Sequence, residues 1–186
     1  GAQPIDRHHP AARAFARHRG DDDGTDSLWV RSAIPMGRGL GFSGAARVGG
    51  AALAAVVGSD DADVALLEGR GSVLEVAVRL EGHGDNAAAS VFGGVVVWVD
   101  GTAIRLRIGP QLSAATIVVW IPDTTTSTDR SRSALPDDVA RTDAVHNLGR
   151  IAQFVVAIEH DDPALLVGAT DDRLHQAVRL AEVPGA

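Results

Sequence analysis

Four stretches of this 186-residue chain carry side chains able to do chemistry. The first is IPMGRGLGFSGAARVGGAALAAV, from Ile34 to Val56. Gly39 and Gly41 allow an anion to approach the backbone closely. The alanine-rich helix expected from about Ser43 brings unpaired N–H groups and a positive dipole end to the same point. Ser43 adds a hydroxyl for an anion or a metal. Phe42 is out of keeping, because it puts an apolar ring where such a loop would use a small hydroxyl. A tight turn with no ligand would use the same glycines. The second stretch, EGHGDNAA (81–88), crowds His83, Asp85 and Asn86 into a turn that opens a helix. An Asp/Asn helix cap beside an ordinary turn histidine is its plainer reading. The third, TTTSTDRSR (124–132), spaces Thr128 and Arg132 four apart, on one face if helical. Arg132 has the fork that grips a carboxylate, though a solvated polar loop has the same composition. The fourth, DDRLHQAVR (171–179), puts His175 and Arg179 on one helical face, which alone reads as a solvated surface.

The elements that must position these residues can be read from pattern. PAARAFARHR (10–19) is expected as a helix with Pro10 near its start. LWVRSAI (28–34) alternates like a strand and stops at Pro35. Two short helices broken near Gly69 and Gly71 fill the stretch before His83. Residues 93–108 read as a hairpin about Asp100-Gly101. TIVVWI (116–121) is expected as a buried strand ended by Pro122. Residues 142–160 form an amphipathic helix with Val145, Leu148, Ile151, Ala152, Val155 and Val156 on its apolar face. A last helix covers 162–181. The class is α+β, with no internal repeat and no linker long enough to divide residues 1–186 into separate domains.

Bulk composition narrows the function. The net charge of −7 argues against nucleic acid, which requires clustered basic charge. All 17 basic residues are arginine, so lysine chemistry is excluded. The absence of cysteine removes disulfides, thiolate catalysis and cysteine metal sites. No apolar run is long enough to suggest a membrane span, and the first residues show no signal-peptide pattern. The expectation is a cytoplasmic protein with no membrane partner.

Taken in order, the four stretches resemble homoserine kinase, a member of the GHMP small-molecule kinase superfamily. The glycine stretch resembles the family's Pro-x-x-x-Gly-Leu-Gly-Ser-Ser-Ala-Ala, and EGHGDNAA resembles Glu-Gly-His-Pro-Asp-Asn. VVWIPD followed by Thr128, Arg132 and ALP resembles the family's substrate segment. DAVHNLGR and DRLHQAVR resemble two further family stretches. The resemblance implies a two-lobed GHMP-kinase-like α+β fold. It makes Ser43 and Glu75 the magnesium neighbours, with Glu75 eight residues before His83. It lines an amino-acid pocket with His83, Asn86, Thr128, Arg132 and Arg179, the arginines binding the substrate carboxylate.

The departures are as informative. The family's first, N-terminal motif and its third, glycine-rich Ser-Gly-Ala-Gly-Pro motif do not occur in these residues. The fold is therefore expected to be incomplete at both ends. A second polypeptide, or a second copy of the chain, is expected to cover unpaired sheet edges and apolar surface. Phe42 replaces a family serine, Gly44 a family alanine, and Arg47 a small residue. These losses fall on the nucleotide side. The resulting expectation is a repurposed subunit that needs no cofactor and acts on a hydroxy-amino-acid derivative whose hydroxyl is already a phosphate or sulfate ester. Gly39, Gly41, Phe42 and Ser43 would form the loop that holds the departing anion. His83 or Asp85 would take the proton in an elimination or a ring closure. The alternatives are an ATP-dependent homoserine kinase using magnesium-ATP, and a non-catalytic scaffold subunit.

Overall fold

The computed structural model describes residues 1–21, 27–121 and 134–181. These fall into two compact units. The first comprises Gly1–Met36 and Leu40–Arg105; the second comprises Gly37–Gly39 and the described part of Leu106–Ala186.

The first unit is a helical cluster with two small antiparallel sheets. Helix α1 (Pro10–Arg19) begins where the His9 side chain accepts a hydrogen bond from the Ala11 N–H, and it ends at Gly20, which is left-handed at φ 72°. Helix α2 (Phe42–Val56) follows the glycine turn. Helices α3 (Ala62–Glu68) and α4 (Arg70–Glu81) part at Gly69, within the break expected there. Helix α5 (Asp85–Phe92) opens one residue after Gly84. Strand β1 (Gln3–Pro4) pairs with β2 (Trp29–Val30). The strand expected over 28–34 is thus only two residues long, because only Gln3 and Pro4 pair with it, opposite Val30 and Trp29, and no described strand runs beside residues 31–34. Strands β3 (Val96–Val99) and β4 (Thr102–Arg105) form the expected hairpin. Asp100 (φ 48°) and Gly101 (φ 77°) both take the left-handed values of a tight two-residue turn.

Small side chains make the core. Ala14, Val48, Ala51, Val73, Ala77 and Ala87 are buried together, from α1, α2, α4 and α5. With so little side-chain volume between them, the helices approach until backbones touch. A Cβ added at Gly50 of α2 would collide with the Ala11 carbonyl of α1.

The second unit contains α6 (Pro110–Ser113), α7 (Arg141–Glu159), α8 (Pro163–Ala169) and α9 (Gln176–Ala181). Asp161 (φ 55°) turns its carboxylate onto the start of α6, accepting the Gln111 and Leu112 N–H groups at 2.8 Å each. Two expectations fail here. Residues 116–121 form no strand, and Ile117 and Val118 are 86% and 88% exposed. No described strand runs beside them to supply a ladder, and an apolar run alone does not make a sheet. Helix α7 has the expected extent, but most of its expected apolar face is exposed. Val145, Leu148, Ile151 and Val156 are exposed; the helix buries Ala157 and Ile158 near its end, and His146, Asn147, Arg150 and Gln153 make its polar contacts.

The expected last helix is interrupted between α8 and α9 by a turn built on Asp172. Its carboxylate accepts the Leu174 N–H (2.6 Å), the His175 N–H (3.0 Å) and the Asn147 amide (3.2 Å). Burial pushes its pKa up, but the hydrogen bonds from His175, Leu174 and Asn147 and the charge of His175 outweigh burial, so the carboxyl lies below its ordinary value.

The close packing of α1 on α2 makes position 50 sensitive. Gly50→Ala should cost about 1–3 kcal/mol, as overpacking does, read as a lower urea midpoint. Gly49→Ala, which meets open space, should not lower it. The Asp172 turn has a pH signature. Because the carboxyl is depressed in the folded state, its stabilisation is complete above the unfolded value of about 3.9 and disappears as pH falls through the lower folded value. The Tm difference between wild type and Asp172→Asn should therefore shrink as pH falls into the acid range. A difference that stays flat into that acid range would contradict the assignment.

Candidate functional site

The glycine turn is left-handed three times, at Gly37 (φ 67°), Gly39 (φ 73°) and Gly41 (φ 72°). Side chains other than glycine rarely take these values. Gly41 is the N-cap of α2 and has no side chain to cap it, so among the described residues no side-chain cap satisfies the first N–H groups at the positive end of the helix. A Cβ at Gly41 would lie 3.2 Å from Asn86 Oδ1, and one at Gly44 would lie 2.9 Å from Asn86 Cβ. The start of α5 therefore rests on the start of α2 because both positions are glycine. Gly84 makes a third close approach, its Cα lying against the Trp98 indole of β3 where an added Cβ would enter the ring.

Phe42 is half-buried and turns toward α1. Its ring stands edge-on to His9, with centroids 5.9 Å apart and planes at 90°. With Ile5, Ala11, Leu28, Trp29 and Leu53 it lines an apolar cleft of about 260 Å³ beside α2.

The most concentrated polar group in this unit centres on Glu81. Ser43 Oγ donates to Glu81, lying 3.0 Å and 2.8 Å from its two carboxylate oxygens. Arg47, one turn further along α2, places its guanidinium in contact with both Ser43 Oγ and Glu81 Oε2. These side chains are secluded: Arg47 is 15% and Glu81 9% exposed. Burial, and then the charge of Arg13, lower the Arg47 pKa. His83 lies on the other side of Glu81, its Nε2 3.8 Å from Oε1, while its Nδ1 is 2.5 Å from Asp85 Oδ1. The Asp85 carboxylate also accepts the Asn86 N–H at 2.8 Å.

Loop, Ser43, His83, Asp85 and Asn86 are thus brought together around the starts of α2 and α5. Glu75 is not part of this group. It lies on the exposed face of α4 and pairs with Arg79 at 2.5 Å. The carboxylate beside Ser43 is that of Glu81, which is the glutamate of EGHGDN itself. A count of eight residues back along a helix selects a face, not a contact, and α4 turns that position outward. Arg47 had a legible signal, its i,i+4 spacing from Ser43.

The resemblance asks for magnesium beside Ser43. A hydroxyl and a carboxylate are suitable hard oxygen donors for it. Here, however, both already bind a guanidinium, and a dication beside that charge would be repelled. The residues present do not fit the ion.

Thr128 and Arg132 lie outside the described residues. Arg179 is on the exposed surface of α9 in the second unit. There DAVHNLGR and DDRLHQAVR are stitched together: besides the Asn147–Asp172 bond, Asn147 Oδ1 accepts the Arg173 N–H at 3.0 Å, and His146 and Arg150 approach Asp171 at 3.2 Å and 3.6 Å. Asp172, the centre of that turn, is a residue that sequence reasoning missed, although an aspartate two and three residues before free N–H groups is the ordinary mark of such a turn.

Residues 6–94 match the model of the GHMP kinases N terminal domain. A homoserine kinase of Desulfitobacterium hafniense is 39% identical over 165 residues, covering 87% of this chain and 52% of that protein. One from Mycolicibacterium vanbaalenii is 39% identical along the whole of this chain and covers 61% of its own length. The chain thus spans about half to three-fifths of the length of these relatives. A crystal structure of homoserine kinase from Cytophaga hutchinsonii superposes with a TM-score of 0.74 over 98% of this chain and 59% of its own, at 18% identity, which speaks to the fold alone. Matched in sequence through the glycine turn and the His83 turn, and in backbone across nearly all of its length, the chain is a homoserine kinase-like member of the GHMP kinase superfamily.

Proposed function

We propose that this chain supplies the phosphate loop and part of the amino-acid site of a cytoplasmic protein that transfers a phosphoryl group from ATP to the hydroxyl of homoserine. The observation that carries this reading is the uncapped start of α2, entered through left-handed glycines and flanked by the His83–Asp85–Asn86 turn. Phosphoryl transfer depends mainly on positioning and charge stabilisation. The first N–H groups of α2 hold the anionic phosphoryl group. Asp85 orients His83 by accepting its Nδ1–H, which leaves Nε2 to take the proton of the attacking hydroxyl. The oxygen–phosphorus bond forms as the bond to the departing diphosphate breaks. Thr128, Arg132 and Arg179 are retained in this reading as the grip on the substrate carboxylate and amine side.

A second reading is favoured by Phe42 and Arg47. An apolar ring in the loop and a guanidinium on Ser43 suit a site that receives an already activated phosphate or sulfate ester and expels the anion without ATP, by elimination or ring closure. One pair of assays on the full-length protein separates the readings. With homoserine and γ-labelled ATP, the first expects label in a homoserine ester. With a preformed ester and no nucleotide, the second expects anion release. Release without transfer would overturn the first reading.

We also propose that added polypeptide, from a second chain or a second copy, covers the apolar stripe of α7 and residues 117–121. Residues 1–186 alone should then associate in light scattering or bind an apolar dye. A well-behaved monomer that binds no dye would rule this out.

A further inference from the structure

The side chains around Ser43 carry an inference that goes beyond either reaction. Glu81 is secluded and negative, and a lone carboxylate in that setting needs a cation or a full set of hydrogen bonds. Among the described residues it has three polar neighbours. Ser43 donates a hydroxyl, His83 stands at 3.8 Å, and Arg47 contacts it directly. Arg47 is also in contact with Ser43 Oγ, so one guanidinium touches both oxygen donors of the pair. It reaches them from the same helix as Ser43, four residues on, so its position is fixed by α2 itself. The stem is covered, and the charged end lies at Ser43, in the first turn of α2, beside the bare N–H groups where a bound anion would sit.

We propose that Arg47 is the resident cation of this site: its guanidinium sits between Ser43, which the family resemblance gives to magnesium together with Glu75, and Glu81, the carboxylate that actually stands beside Ser43, and the Ser43–Glu81 pair does not bind a divalent ion. A guanidinium is always charged and presents several fixed donors. It can therefore neutralise Glu81 and still direct an N–H toward an anion on the loop. The site then keeps its positive charge whatever the concentration of free metal.

The test is binding of Mn²⁺ alone, followed by loss of the free-ion paramagnetic resonance signal, with the full chain at neutral pH. The wild-type chain is expected to take up no Mn²⁺ that depends on Glu81. Arg47→Ala should gain a single site, at least about tenfold tighter than anything in wild type, the scale on which neighbouring groups alter metal affinity. Adding Glu81→Gln to Arg47→Ala should abolish it. Wild-type binding that weakens on Glu81→Gln would overturn the proposal. So would a folded Arg47→Ala chain that gains no site, because the guanidinium would then not be what excludes the ion. If Arg47→Ala does not fold, Arg47→Gln, which keeps much of the stem, takes its place and is read the same way.

Discussion

Helix α2 is held by close contact at two points, its first turn and its middle. At its middle Gly50 lies against the Ala11 carbonyl, and in its first turn Gly44 lies against Asn86. No side chain larger than hydrogen fits either contact. The direction of α2 is therefore set by two neighbours at once, and the direction in turn fixes where its bare N-terminus points. The loop before it must arrive through left-handed residues to meet that start, which accounts for the glycines at 37, 39 and 41. A core of alanines and valines makes this possible, since larger side chains would hold the helices too far apart for backbone contact.

Charge is organised around the same helix. Glu81, at the end of α4, accepts from Ser43 and Arg47 of α2 and stands near His83 of the next turn. A single carboxylate so joins three segments. Removing either partner would leave an uncompensated charge in a secluded place, which is more costly than the pair is favourable. The arrangement serves position more than stability. It locks the Ser43 hydroxyl and sets the His83 turn relative to α2.

Local pattern is a good guide wherever one strong rule applies. The start of α2 falls one residue from the expected Ser43, and Asp100-Gly101 makes the expected turn, because glycine and N-cap chemistry act within a few residues. The grouping of His83, Asp85 and Asn86 is legible in EGHGDN for the same reason. Pattern fails where a long-range partner decides the outcome. TIVVWI has the composition of a buried strand but no described neighbour to pair with. Helix α7 has an apolar stripe, yet polar residues on its other face make the contacts through Asp171 and Asp172. Period identifies a face and does not say which face is covered. Glu75 and Glu81 illustrate the point at the site: both are glutamates on α4, and only the three-dimensional path of the helix distinguishes the one that meets Ser43.

The Trp98 indole, seated on the backbone of Gly84, gives the molecule an optical property. Of its three tryptophans, Trp29 and Trp120 are exposed, so their indoles face water. Trp98 is half-buried and its ring rests on the peptide that links His83 to Asp85. Any shift of that peptide changes the solvation of the ring and hence the colour of its emission. The turn thus carries a native fluorophore, and excitation with quenchers that reach only the two outer indoles isolates its signal without any label.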